Sequence, residues 1–164
     1  MKPIYLVGFM GAGKTTVGKK LSKQLNIPFL DTDEMIEQTL NMSIVHIFST
    51  YGEEAFRQVE EKTIQSLPKE NVIVSTGGGM MSRKTIREHL KQTGIIIYLH
   101  CEFQEILSRL KGDQSRPLFL NKSKEELKKL FEERMSDYKK AHLIVDTTHH
   151  SAEEVINEII HVLH

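Results

Sequence analysis

A glycine-rich stretch near the N-terminus constrains this chain more than any other feature. The residues GFMGAGKTT, at positions 8–16, directly follow the apolar run IYLV at positions 4–7. The stretch matches G-x-x-x-x-G-K-[ST], the pattern of a phosphate-binding loop between a strand and a helix, and its last two positions are Lys14 and Thr15. Glycines let such a loop wrap closely around a polyphosphate, and the following helix presents its positive N-terminal end to it.

The pattern also assigns chemistry to its last two residues. We expect Lys14 to reach the β- and γ-phosphates of a nucleotide and the Thr15 hydroxyl to bind Mg²⁺. The structural alternative is an ordinary glycine-rich turn with a solvated lysine. The position of the motif, after an apolar strand and before a helical pattern, favours a site for a nucleoside triphosphate.

The remainder of the chain alternates short apolar runs with helical patterns. The runs lack polar alternation, which indicates strands buried on both faces, as in a parallel sheet. The last helix is predicted to begin with a capping box formed by Ser151 and Glu154. Together these patterns predict an α/β doubly wound domain that binds ligands at the carboxyl ends of its strands. The predicted strands are residues 4–7, 28–30, 72–75, 95–99 and 143–145.

Length and charge limit the possible partners. The 164 residues fit a single domain, 1–164, and the 22 basic and 22 acidic residues balance, so we expect neither nucleic acid nor a membrane as a partner. The one cysteine, Cys101, excludes an internal disulfide and is typical of a cytoplasmic protein. The longest apolar run, residues 95–99, is too short to span a bilayer, and no signal peptide is evident. We expect a cytoplasmic monomer.

Two segments depart from strand–helix alternation. Residues 33–67 are helical throughout in their pattern and predict a helical insertion. Residues 111–122 are polar and contain Gly112 and Pro117, which predicts a mobile lid.

Two carboxylates follow the second predicted strand. Asp31 and Asp33 therefore belong to the same sheet edge as the phosphate-binding loop. Asp31 with Glu34 also fits a helix-capping box, and this alternative stays open. In a phosphate-loop protein one such carboxylate can orient Mg²⁺ or its waters, and the other can accept a proton from an attacking hydroxyl.

Two arginines are candidates for binding an anion. Arg134 shares a helical stripe with apolar residues, and an inward-facing charge needs a partner or an anionic ligand. Arg57 could instead form a surface pair with Glu60 or Glu61, which would contribute only about 0.3–0.5 kcal/mol.

Backbone and loop positions complete the candidate set. Gly77, Gly78 and Gly79, the glycine triad, end the third predicted strand, and such a run indicates backbone close to a ligand, although a plain loop remains possible. Arg116, in the predicted lid, could close over the transferring phosphate or be solvated. His149 and His150, at a strand–helix junction, are more typical of a polar loop than of a metal site.

Taken in order, these motifs resemble the shikimate kinase family over essentially the whole chain. The resemblance implies a P-loop kinase fold with a five-stranded parallel sheet flanked by helices, a helical substrate-binding insertion at about residues 33–61 and a lid at about 111–123. It also implies transfer of the γ-phosphate of ATP to the 3-hydroxyl of shikimate, in aromatic amino-acid biosynthesis. The motifs are GFMGAGKTTVG at 8–18, DTD at 31–33, FRQVE at 56–60, GGG at 77–79, RPL at 116–118 and ER at 133–134 ahead of a tyrosine.

The resemblance implies a role for each matching residue. Thr15, with Asp31 close by, would bind Mg²⁺, and Asp33 would be the base that meets the shikimate hydroxyls. Arg57 and Arg134 would hold the shikimate carboxylate, and the backbone of the glycine triad would meet the ring. Lys14 and Arg116 would stabilise charge on the transferring phosphoryl group. ATP would be bound by Gly11, Ala12, Gly13, Lys14, Thr15, Thr16 and Arg116, with His150 as an adenine contact.

The chain departs from the family pattern at two places. Ser136-Asp137 stands where the family usually has Pro-Leu, and His149-His150 stands where Arg or Gln is frequent. The competing interpretations are another small-metabolite kinase, such as a gluconate kinase, a nucleoside-monophosphate kinase, or a catalytically silent nucleotide-binding module.

Overall fold

The computed structural model describes residues 1–111 and 122–164. The five strands form one parallel sheet in the order β2-β3-β1-β4-β5. They are β1 (Ile4–Val7), β2 (Phe29–Asp31), β3 (Ile73–Ser75), β4 (Ile95–His100) and β5 (Leu143–Asp146). The helices are α1 (Lys14–Leu25), α2 (Thr32–Leu40), α3 (Ile44–Gln65), α4 (Lys84–Thr93), α5 (Phe103–Leu110), α6 (Lys124–Tyr138) and α7 (Ala152–Leu163), with a short 3₁₀ turn at Met80–Ser82.

The five predicted strands and their parallel arrangement are confirmed, with boundaries within one residue of those expected. Burial on both faces is confirmed for the three central strands, β1, β3 and β4. It is wrong for β5, where the side chain of Ile144 is 53% exposed. β5 is an edge strand of the sheet, and the helices that flank the sheet cover its side chains less completely than those of the central strands.

The insertion is helical, as its pattern predicts, but it is divided into two helices and is not helical throughout. Helix α2 ends at Asn41, whose left-handed φ of 51° stops it, and Ser43 caps the start of α3 by accepting a hydrogen bond from the His46 amide. Within α3, Gly52 has φ 85° and ψ 173°, which kinks the helix. The insertion also has its own apolar cluster, apart from the main core, built from Ile36, Ile47 and Phe56.

The predicted cap of the last helix agrees with the structure. Ser151 caps α7 by accepting a hydrogen bond from the Glu154 amide at 3.2 Å. Cys101 is 1% exposed directly after β4. In the described ranges, no helix combines the length and the apolar character needed to cross a membrane.

The sheet brings the candidate residues to one edge. Because all strands are parallel, the loops that follow β1, β2 and β3 leave from the same end of the sheet. Strand β1 is central, with β3 on one side and β4 on the other, so the phosphate-binding loop lies between the two halves of the sheet. The crevice expected for ligands in such folds therefore opens beside this loop.

Candidate active site

The phosphate-binding loop connects β1 to α1 through three glycines with positive φ. Gly8, with φ 152°, packs so tightly that a Cβ there would lie 2.7 Å from the Leu99 carbonyl oxygen of β4. Helix α1 begins after Gly13, and no side chain in the described part of the chain caps it. A helix N-terminus without a side-chain cap is the arrangement that suits a bound phosphate.

Lys14 and Thr15 lie at the start of α1. The Lys14 ammonium donates to the carbonyl oxygens of Gly8, at 2.5 Å, and Phe9, at 3.3 Å, which holds its charge over the loop. The Thr15 hydroxyl donates to Oδ2 of Asp31 at 3.4 Å. The start of α1 and the end of β2 are thus joined by this hydrogen bond.

Asp31 performs two structural tasks at once. Its Oδ1 caps α2 by accepting hydrogen bonds from the amides of Asp33, at 2.9 Å, and Glu34, at 3.2 Å. Its other oxygen faces Thr15. The capping alternative is therefore confirmed, and it leaves the carboxylate beside the predicted magnesium ligand.

The oxygen atoms at this point fit Mg²⁺. Thr15 and Asp31 supply a hydroxyl and a carboxylate, and Mg²⁺ in nucleotide sites is bound by one or two such protein oxygens plus phosphates and water. No group of three or more His, Cys, Asp or Glu side chains within 1–111 and 122–164 is arranged to hold a metal ion. A magnesium ion here would therefore depend on the nucleotide for most of its ligands.

Each member of the glycine triad faces a candidate side chain. A Cβ on Gly77 would lie 2.8 Å from Oδ1 of Asp33, and one on Gly78 would lie 3.0 Å from Nη1 of Arg134. A Cβ on Gly79 would lie 2.7 Å from Nη1 of Arg57. Only glycine leaves room for all three side chains to approach the same short backbone segment.

Arg57 is paired inside the protein. Its Nη1 donates to Glu60 at 2.5 Å, and Glu60 is only 1% exposed. A second and more exposed partner, Glu53, lies 3.5 Å from Nη2. Burial raises the pKa of the Glu60 carboxyl, and the hydrogen bond from Arg57 offsets part of that rise. The i, i+3 pair considered from sequence thus exists, but Glu60 is buried rather than solvated.

Arg134 extends from the middle of α6 toward the glycine triad. One turn later, the Tyr138 hydroxyl donates to the carbonyl oxygen of Gly78 at 2.7 Å. Helix α6 runs without interruption to Tyr138, through the Ser136-Asp137 departure. Asp137 pairs with Arg87 of α4 at 3.4 Å, which fastens the end of this helix.

One cavity of about 980 Å³ contains all the predicted site residues that the structure describes. Arg116 and most of the predicted lid lie outside the described residues. The predicted residues that line the cavity are Gly11, Ala12, Gly13, Lys14, Thr15, Thr16, Asp31, Asp33, Arg57, Gly77, Gly78, Gly79, Arg134 and His150.

Two lining residues were missed by the sequence analysis. Glu60 was considered only as a surface partner, although its spacing from Arg57 was the available signal. Arg109 of α5 donates to the carbonyl oxygens of Ala12, at 3.3 Å, and Thr147, at 3.0 Å, and so joins the phosphate-binding loop to the loop after β5. Its pairing with Glu105 at 3.2 Å is local, but its contacts with Ala12 and Thr147 are distant in sequence and no local pattern marks them.

Comparison with known proteins now decides the family. A family model described as shikimate kinase matches residues 10–164. The chain belongs to the shikimate kinase family. The shikimate kinase of Bacillus cereus (strain AH187) is 44% identical to it over 159 residues, covering 97% of this chain and 96% of that protein.

Solved structures agree with this membership of the shikimate kinase family. Shikimate kinase from Acinetobacter baumannii in complex with shikimate superposes with a TM-score of 0.92 at 36% identity, covering 99% of this chain and 93% of that one. Deoxyadenosine kinase from M. mycoides superposes with a TM-score of 0.65 at 19% identity, covering 98% and 97%, and shares the fold alone. The resemblance and the P-loop kinase fold expected from the motifs are therefore confirmed.

Proposed function

We propose that this chain transfers the γ-phosphoryl group of ATP to the 3-hydroxyl of shikimate, giving shikimate 3-phosphate and ADP on the route to chorismate and the aromatic amino acids. The observation that carries the proposal is a single cavity lined both by the phosphate-binding loop and by Asp33, Arg134 and Arg57, which approach successive glycines of the triad. The one cysteine supports a cytoplasmic location for this enzyme, which we propose to act as a monomer.

The nucleotide occupies the phosphate-binding loop in this proposal. The amides at the start of α1 and the Lys14 ammonium bind the phosphates, and Thr15 with Asp31 holds Mg²⁺. When bound, Mg²⁺ neutralises charge on the β- and γ-phosphates. His150 meets the adenine, and Arg116 stabilises the transferring phosphoryl group.

Shikimate occupies the end of the cavity formed by the insertion and α6. Arg57 and Arg134 hold its carboxylate with charge-assisted hydrogen bonds, and the glycine triad packs against its ring. Glu60 keeps the Arg57 guanidinium in one orientation, since the pair is buried. Asp33 accepts the proton of the attacking hydroxyl as the new P–O bond forms.

The purified protein is expected to release ADP when shikimate, ATP and Mg²⁺ are all present. A coupled ADP-release assay compares shikimate with gluconate and nucleoside monophosphates, and Lys14→Ala shows that the turnover belongs to this chain. Much faster turnover of gluconate or a nucleotide would make the substrate assignment wrong. Nucleotide binding without turnover of any acceptor would indicate a silent binding module.

Gly79→Ala is expected to weaken shikimate binding without unfolding the protein. Gly79 has φ −95°, which alanine tolerates, but the new Cβ would displace the Arg57 guanidinium, 2.7 Å away. Losing one charge-assisted bond of about 1.5 kcal/mol raises the KM for shikimate by ~10-fold. Steady-state kinetics with a thermal melt measures both effects.

Gly18→Ala is the contrasting variant. Its Cβ would overlap the Phe29 ring in the core at 2.3 Å, far from the arginines. We expect this variant to lower the melting temperature and to keep the KM for shikimate. If Gly79→Ala lowers the melting temperature as much as Gly18→Ala and keeps the KM, the glycine triad has a structural role only.

A further inference from the structure

Two buried hydroxyls hold the glycine triad, and neither belongs to the residues assigned above. The first is that of Thr32, which is 0% exposed at the start of α2. The Gly77 amide donates to Thr32 Oγ1 at 3.0 Å, and the Thr32 hydroxyl donates to Sδ of Met80 at 3.7 Å. The hydroxyl is thus fixed on both its accepting and its donating side.

The second hydroxyl is that of Tyr138, at the end of α6. It donates to the Gly78 carbonyl oxygen at 2.7 Å, and Tyr138 is 1% exposed. Its ring packs on Tyr98 with 5.2 Å between centroids. Burial raises the pKa of the Tyr138 hydroxyl to about 12, so the hydroxyl keeps the proton that it donates.

These two bonds connect the triad to two different helices. Thr32 directly precedes Asp33, and Tyr138 follows Arg134 by one helical turn. Asp33 and Arg134 are also the side chains nearest to where a Cβ on Gly77 and on Gly78 would lie. Helices α2 and α6, which are far apart in sequence, are therefore hydrogen-bonded to two successive residues of the triad.

We propose that Thr32 and Tyr138 are positioning residues that set the separation of Asp33 and Arg134 through their hydrogen bonds to Gly77 and Gly78. The inference rests on the proposed function, because Asp33 and Arg134 are taken to contact the reacting hydroxyl and the carboxylate of one substrate. A shift of either helix against the triad changes the fit of that substrate. The phosphate-binding loop is held by different contacts, such as the hydrogen bond from Arg109 to the Ala12 carbonyl oxygen.

Kinetics of two variant pairs test the proposal. Tyr138→Phe and Thr32→Val each remove one hydroxyl and keep the shape of the side chain. Tyr98→Phe removes a hydroxyl from the adjacent ring, where it bonds His100 at 2.9 Å, and Thr32→Ser keeps the bond to Gly77. We expect Tyr138→Phe and Thr32→Val to raise the KM for shikimate by about 3- to 10-fold, and the KM for MgATP by less than ~2-fold. The two controls should leave both KM values within ~2-fold of wild type.

A double-variant cycle separates positioning from general destabilisation. If Tyr138 acts through Arg134, then Tyr138→Phe should have much less effect on shikimate KM in an Arg134→Ala background than in the wild type. Full additivity of the two changes would overturn the proposal for Tyr138. An equal rise of both KM values in Thr32→Val, or a failure of Thr32→Ser to restore the shikimate KM, would overturn it for Thr32.

A measurement independent of activity distinguishes this proposal from the proposed function. Hydrogen exchange of the Gly77 amide, followed by NMR, should be at least ~10-fold faster in Thr32→Val than in Thr32→Ser. Unchanged exchange overturns the hydrogen-bond role of Thr32 even if shikimate is the substrate. Faster exchange in a protein that does not phosphorylate shikimate would instead reject the proposed function and keep the role of Thr32 in holding the triad.

Discussion

Asp33→Asn is expected to lower kcat for shikimate phosphorylation by ~10²–10⁴-fold, the range typical of losing a general base. Asparagine keeps the size and most of the hydrogen-bonding capacity of aspartate, but it does not accept the proton of the attacking hydroxyl. Asp33 lies in the cavity with its Oδ1 beside Gly77 and with its amide bonded to Asp31. The fold and the KM for ATP should therefore change little.

Asp137→Asn is the matched control for this prediction. Asp137 is also a carboxylate at a helix of the site, but its partners are Arg87, at 3.4 Å, and Lys140, at 3.1 Å. Steady-state kinetics at saturating ATP should show a large loss of kcat for Asp33→Asn alone. Wild-type kcat in Asp33→Asn would remove the base assignment and leave Asp33 with an orienting role.

Loss of either arginine at the substrate end is the second large effect. Arg57→Ala and Arg134→Ala should each weaken shikimate binding by roughly 10- to 150-fold, since a hydrogen bond to a charged group contributes about 1.5–3 kcal/mol. Lysine should restore only part of the affinity, because it lacks the planar fork that meets two carboxylate oxygens. ATP affinity should change little, because the phosphate-binding loop lies at the other end of the cavity.

A shikimate analogue with a neutral amide in place of the carboxylate tests this clamp. Both alanine variants should lose far less affinity for the amide than for shikimate. Arg57→Ala also leaves the buried Glu60 carboxylate without the cation that it bonds, which destabilises the protein. The double change Arg57→Ala/Glu60→Gln removes this unpaired charge and therefore measures the loss of the clamp alone. An arginine whose removal costs equally with both ligands supports the fold or binds another group.

Local patterns in the sequence were sufficient to predict most of the fold. Runs of three to five residues predicted all five strands, and the glycine pattern after residue 7 predicted the loop from β1 to α1. The break between α2 and α3 was also marked in the sequence, because Asn41 is typical of a left-handed helix end and Ser43 is typical of a helix N-cap. The helical spacing of the apolar residues nevertheless led to a prediction of helix throughout this segment. The exposure of Ile144 depends on strand order, which no local pattern contains.

The same distinction between local patterns and contacts made only in the fold applies to the residues of the site. The positions of Lys14 and Arg57 in the cavity were predictable, because each residue belongs to a sequence motif. Arg109 and Glu60 were not, because their importance comes from distant carbonyl groups and from burial. A carboxylate that looks like a surface residue in sequence becomes a buried partner only after α3 packs against the sheet.

The separate apolar cluster of the insertion has a consequence for how the molecule opens. Ile36, Ile47 and Phe56 pack with each other, while the phosphate-binding loop is built into the main core through Ala12 and Phe9. A small cluster has a lower free energy of local unfolding than a five-stranded core. The part of the acceptor site that the insertion carries, Asp33 and Arg57, can therefore fluctuate while the part assigned to the nucleotide stays folded. The acceptor can then enter and the product can leave at each turnover while the residues around the nucleotide stay folded.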